Sequence, residues 1–234
     1  MAKMVGLSRN IKPAWLNKCV ELILLGMNES ELKAALNEYL AFEIKSAINI
    51  RKTRELLMNI WYYPDDEIDS IRKLALQAYQ DEKTNKLVLH WCMMLLRYPV
   101  FVEVCSLIGK VSQIQGEFTV AWLKEKLYEA WGERSTLLHS TDKILKTLHD
   151  MGAIRRIKQG AYAIQTTTIS DDRSKCILVK TILSLKEKAY YEPAELMSVS
   201  AFFPFHFDVS HQWIHEMDCF HVGNFGGNLV LVAG

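Results

Sequence analysis

Residues 117–165, EFTVAWLKEKLYEAWGERSTLLHSTDKILKTLHDMGAIRRIKQGAYAIQ, constrain the fold more than any other stretch, because their apolar period switches from helical to strand-like. Thr119 can cap a helix, its hydroxyl accepting from the free N–H groups of the first turn. Leu123, Leu127 and Trp131 follow at four-residue steps and make one apolar face. Gly132 stands where a helix end favours positive φ. Glu133, Arg134 and Ser135 form a short polar turn, and a second helix starts at Ser135 or Thr136. Its apolar positions are Leu137, Leu138, Thr141, Ile144, Leu145, Leu148 and Met151, and Gly152 ends it. Ile154, Ile157, Tyr162 and Ile164 then read as strand residues around a Lys158-Gln159-Gly160 turn.

So short a link between two helices favours a crossing over an antiparallel pair. Strand, helix, turn, helix and two-stranded ribbon is the order of a winged helix-turn-helix. The second helix is the expected recognition helix. Its predicted non-core residues are Thr136, His139, Ser140 and Lys143, followed by Lys146 and Thr147, with Arg134 just ahead. Arg155, Arg156 and Lys158 lie on or beside the ribbon turn and form a candidate wing. Such side chains hold phosphates or reach base edges in a major groove. Asp142 and Asp150 sit among them and weaken the local positive field. The plainer reading is a winged helix that serves as a scaffold for protein contacts, because a fold hosts many functions.

The chain of 234 residues has room for one large domain or two to three small ones, and half of it is hydrophobic. Its formal charge is +1, so a binding face must come from local asymmetry. Five scattered cysteines, Cys19, Cys92, Cys105, Cys176 and Cys219, contain no CxxC pair and fit buried free thiols in a reducing compartment. MAKMVGLSRNIKPAW lacks the features of a signal peptide, and the longest apolar run, 87–96, contains His90 and is followed by Arg97. A cytoplasmic protein without a membrane partner is expected.

Ahead of the winged unit the pattern is helical. Residues 1–11 read as an arm, and Pro13 opens a helix that stops at Gly26. Asn28 or Ser30 caps the next, ESELKAALNEYLAF. A longer helix is expected from Glu43 to Trp61 and carries Lys45, Arg51, Lys52 and Arg54. These cations are either a solvated face or an accessory phosphate patch beside the wing. Asp65 and Asp66 are expected to start DDEIDSIRKLALQAYQ. The two most apolar helices, DEKTNKLVLHWCMMLLRYP and VFVEVCSLIGKVSQIQ, are expected at the centre, with His90 a satisfied core histidine. The second of them can serve as the first helix of the winged unit. Residues 166–174 read as a polar break. Beyond it lie a helix over 175–188, a short helix over 210–217 and a hairpin with its loop at 224–228, in the order of a second, degenerate winged-helix-like module.

The sequence offers one metal-like cluster. His211, His215 and Cys219 are four residues apart, but Cys219 falls past the expected helix end and the cysteine pattern of a structural zinc site is lacking. The glycine-rich loop near the C-terminus lacks the Lys-Ser/Thr ending of a phosphate loop, and no catalytic fingerprint is present. Neither an enzyme nor a cofactor is expected.

INIRKTRELL (49–58), VLHWCMMLLRYPVFVEV (88–104) and GERSTLLHSTDKILKTLHDMGAI (132–154) carry a resemblance of pattern to the BrxA proteins of bacterial BREX phage-defence systems. The resemblance spans roughly residues 15–165. It implies a small, mainly helical, DNA-binding accessory protein without catalytic function. It points to Arg51, Lys52 and Arg54 on the basic helix and to Lys143 and Lys146 on the recognition helix. MAKMVGLSRN departs from the family's glycine-rich start, and the histidine-rich C-terminal segment has no counterpart there.

The expected architecture is mainly α: a helical domain over 1–97, a winged-helix domain over 98–168 and a small α+β appendage over 169–234. The expected partners are double-stranded DNA and proteins of a defence complex. The alternative is an adaptor that presents Phe202, Phe203, Phe205 and Trp213 to a protein partner.

Overall fold

A computed structural model describes residues 6–217 and 219–232. The chain is mainly helical with three small sheets. Proline or a cap starts most of the early helices. Pro13 opens α1 (Pro13–Leu24), and Asn28 and Glu31 form a capping box on α2 (Glu29–Ala41). Next come α3 (Ala47–Trp61) and α4 (Asp69–Tyr79). Asn85 caps α5 (Lys86–Arg97), and Pro99 opens α6 (Pro99–Ser112).

The 117–165 stretch forms β1 (Glu117–Thr119), α7 (Val120–Trp131), α8 (Ser135–Asp150), β2 (Ile154–Lys158) and β3 (Ala161–Ile164). The Thr119 hydroxyl accepts from the Trp122 amide, and Gly132 closes α7 at φ 76°. The strands pair antiparallel in the order β1-β3-β2. Helix α6 packs on β1, α7 and α8.

The remainder is β4 (Thr167–Ile169), α9 (Asp172–Leu185), β5 (Tyr190–Tyr191), α10 (Pro193–Leu196), a 3-10 turn (Ser200–Phe202), β6 (Phe205–Phe207), α11 (His211–Glu216), β7 (Val222–Phe225) and β8 (Asn228–Val232). Strands β7 and β8 form the expected hairpin, and β5 joins it in the order β5-β8-β7. Both three-stranded sheets therefore place their last strand between the other two. Strand β4 pairs in parallel with β6.

One buried cluster runs from Leu7 to Leu231 and draws on all three segments of the chain. At its centre every residue of 88–95 on α5 is buried. Trp91 packs edge-on against Phe101, Phe203 and Phe205, and its Nε1–H donates to the Ala201 carbonyl at 3.0 Å. Helix α9 covers α4 and α5, and the 3-10 turn lies on α6. Among the described residues, no single helix is long and apolar enough to cross a membrane.

Three expectations about elements fail. Helix α3 starts at Ala47, not Glu43, because the Glu43 carboxylate accepts from Lys12 and from Trp15 Nε1–H. Helix α4 starts at Asp69, because Asp65 is drawn to Arg97 at 2.6 Å. Within the expected polar break, 167–169 is a strand and Asp171 caps α9. Phe202, Phe203, Phe205 and Trp213 are buried, so the expectation that they are exposed for a partner is overturned.

Candidate nucleic-acid interface

Helix α8 positions the candidate residues. Its buried stripe includes Leu137, Ile144 and Leu148. Ser140 and Thr147 share that spacing and are also buried, so neither reaches a ligand, and their expected contact role is corrected. The amide of Ile11 on the arm donates to Thr147 Oγ1 at 2.9 Å, and Thr147 Oγ1 donates to the Lys143 carbonyl at 3.0 Å. What remains open is the stripe one residue earlier in register. Thr136, His139 and Lys146 are exposed and Lys143 is half-buried, with Arg134 exposed at the helix start.

Arg155, Arg156 and Lys158 are all exposed on the edge strand β2. Strand alternation sends Arg155 and Arg156 to opposite faces, with Arg156 on the side of Ile154. They therefore flank the edge and do not form one patch. None of Arg134, Lys143, Lys146, Arg155, Arg156 and Lys158 forms an ion pair among the described residues. Asp142, expected to weaken this face, is held by Lys124 of α7 at 2.7 Å. Asp150 sits 3.6 Å from His149.

On α3, Arg51 and Lys52 are exposed. Arg54 is not available: it donates to Glu55 and to Asn37 at 3.0 Å, and its side chain is 13% exposed. A cavity of about 280 Å³ joins α3 to α8 through the arm, with Arg9, Trp15, Ile44, Asn49, Thr53 and Lys143 on its walls. Lys52, three residues after Asn49, lies on the same side of α3. Sequence reading missed Arg9 and Thr53. Arg9 sits in a stretch without periodicity, and Thr53 interrupts an otherwise ordinary helical face.

The metal-like cluster disperses. His211 and His215 are exposed, Cys219 lies outside α11, and no group of three potential ligands converges among the described residues. The Cys219 sulfur instead faces that of Cys176 at 3.6 Å. Cys19, Cys92 and Cys105 are buried free thiols. Burial pushes the Cys19 and Cys92 thiols up to about 12, with a hydrogen bond to Thr181 opposing the rise at Cys92. His90 is buried, and its ring Nε2 lies 2.8 Å from Asn17 Oδ1.

No family model, curated protein or solved structure matches the chain, so the functional reading rests on this geometry.

Proposed function

We propose that this chain is a non-catalytic accessory protein that binds nucleic acid, double-stranded DNA in particular, through a winged helix over β1, α7, α8, β2 and β3. The observation that carries the reading is the set of unpaired cations on α8 and β2. Six basic side chains present themselves without a carboxylate partner among the described residues, while the nearby Asp142 is engaged elsewhere.

In this reading α8 enters the major groove with Thr136, His139 and Lys146 toward the bases or phosphates, and Arg134 holds a phosphate at the helix start. The β2–β3 hairpin is the wing, with Arg155, Arg156 and Lys158 on the backbone. The order β1-β3-β2 and the packing of α6 on both helices support the assignment. The C-terminal unit repeats that strand order but has no Lys or Arg beyond Lys188, so nucleic-acid contact falls to the first unit alone. The setting that fits the sequence pattern is a BrxA-like role in a bacterial phage-defence complex.

The test is duplex binding by the full chain and by a Lys146→Glu/Arg155→Glu variant. Weakened binding with unchanged thermal stability supports the proposed face. Equal affinity of the two proteins removes it.

A further inference from the structure

The cavity between the arm, α3 and α8 is cationic by construction. Its walls carry two positive side chains, Arg9 and Lys143, and no carboxylate. The two acids adjacent in sequence to its lining are engaged, Glu43 by Lys12 and Trp15 and Asp142 by Lys124. Neither Arg9 nor Lys143 has an ion-pair partner among the described residues. The Arg9 guanidinium is held in place by Asn49 Oδ1 at 3.0 Å and by the Ser8 carbonyl at 2.7 Å. Asn49 and Thr53 stand one above the other on α3, at the i and i+4 positions. The first turn of α3 contains no acid and no side-chain cap, so the positive end of its dipole is uncompensated there.

Thr53 is the deciding residue. It is 2% exposed and lines the cavity, and its hydroxyl makes no hydrogen bond among the described residues. A buried threonine on a helix ordinarily returns its hydroxyl to the carbonyl four residues earlier, as Thr141, Thr147 and Thr181 do here. The Thr53 oxygen is not sealed from the cavity, so its donor and acceptor remain open to a ligand there. A guanidinium, an ammonium and a free hydroxyl around one space match an anion with several acceptor oxygens.

We propose that this cavity binds a phosphate group. The source of that group, a backbone phosphate of the bound nucleic acid, rests on the reading given above; the pocket itself does not. A duplex on α8 would then be gripped from a second side, with Arg51 and Lys52 continuing the track along α3.

Three variants of the full chain test the pocket: Arg9→Gln, Lys143→Gln and Thr53→Val. The last removes a hydroxyl that has no protein partner, so a merely structural threonine predicts a neutral or stabilised protein. Melting is followed with inorganic phosphate and with acetate at equal ionic strength, because a ligand of the native state raises the melting temperature. The expected result is a rise with phosphate beyond that with acetate, lost in Arg9→Gln and reduced in the other two. The second arm is the salt dependence of duplex binding, where each lost phosphate contact lowers the slope by about one.

A phosphate rise that follows the variants establishes the pocket. If no duplex binds at low salt, the pocket stands and the nucleic-acid reading falls. Lower slopes in the variants without a response to free phosphate also support the pocket and assign it to the backbone. A phosphate rise that is equal in all four proteins overturns the proposal. So does the absence of a rise combined with unchanged slopes.

Discussion

The amide of Ile11 donates to the buried hydroxyl of Thr147 at 2.9 Å, across 136 residues of sequence. This bond clamps the N-terminal arm, which carries Arg9, onto the helix that carries Lys143. Thr147→Val leaves a buried amide without a partner, which costs about 1–3 kcal/mol. Urea unfolding of Thr147→Val and Thr147→Ser checks it. Serine keeps the acceptor and loses only a methyl group, so it retains the larger share of the stability.

Gly109 lets the 3-10 turn approach α6. A Cβ built there meets the Ser200 carbonyl oxygen at 1.9 Å, a backbone atom that cannot swing away. Gly109→Ala forces the turn off the helix, and overpacking of this kind costs about 1–3 kcal/mol or more. Gly116→Ala, where a Cβ meets open space, is the control. Equal denaturation midpoints for the two variants would refute the close approach.

Phe205 tests whether the C-terminal aromatics belong to the core. It is buried, and its ring packs edge-on against Trp91 with centroids 5.3 Å apart. Phe205→Ala should therefore cost about 3–5 kcal/mol of stability. An exposed docking residue predicts almost no loss, and chemical denaturation separates the two.

The elements of the 117–165 stretch were legible because each boundary has its own local signal: Thr119 as a cap, Gly132 and Gly152 as stops, and a change of period in between. Asn28 was legible for the same reason, and so was the C-terminal hairpin, although its turn is only Gly226-Gly227 and the rest of the expected 224–228 loop is strand. The parallel pairing of β4 with β6 was not, since nothing in Thr167–Ile169 points to Phe205–Phe207. Helix starts near Asp65 and Glu43 were misplaced because those carboxylates serve distant partners, Arg97 and Lys12. The site divides along the same line. Exposure of Thr136, His139 and Lys146 follows from helical period. Burial of Ser140 and Thr147 depends on which flank of α8 the rest of the chain covers, and loss of Arg54 depends on Asn37 of another helix.

His90 makes stability depend on pH. Burial, with a smaller contribution from Lys86, lowers its pKa from 6.5 to about 3 in the folded chain. Between those values the unfolded chain binds a proton that the native chain does not. The contribution of His90 is complete above about 6.5 and falls by about 1.4 kcal/mol per pH unit as pH drops toward about 3. Denaturation midpoints across that window check it. His90→Gln should flatten this part of the profile by one proton's worth, and an unchanged profile would show that another group titrates.

The most direct test of the central claim is anisotropy of a labelled duplex of about 30 base pairs, titrated with the full chain across a range of salt, because phosphate contacts release counterions. The account predicts binding whose log affinity falls linearly with log salt, with a shallower slope for Lys146→Gln/Arg155→Gln. Absence of binding at low salt, or a slope unchanged in that variant, would contradict it.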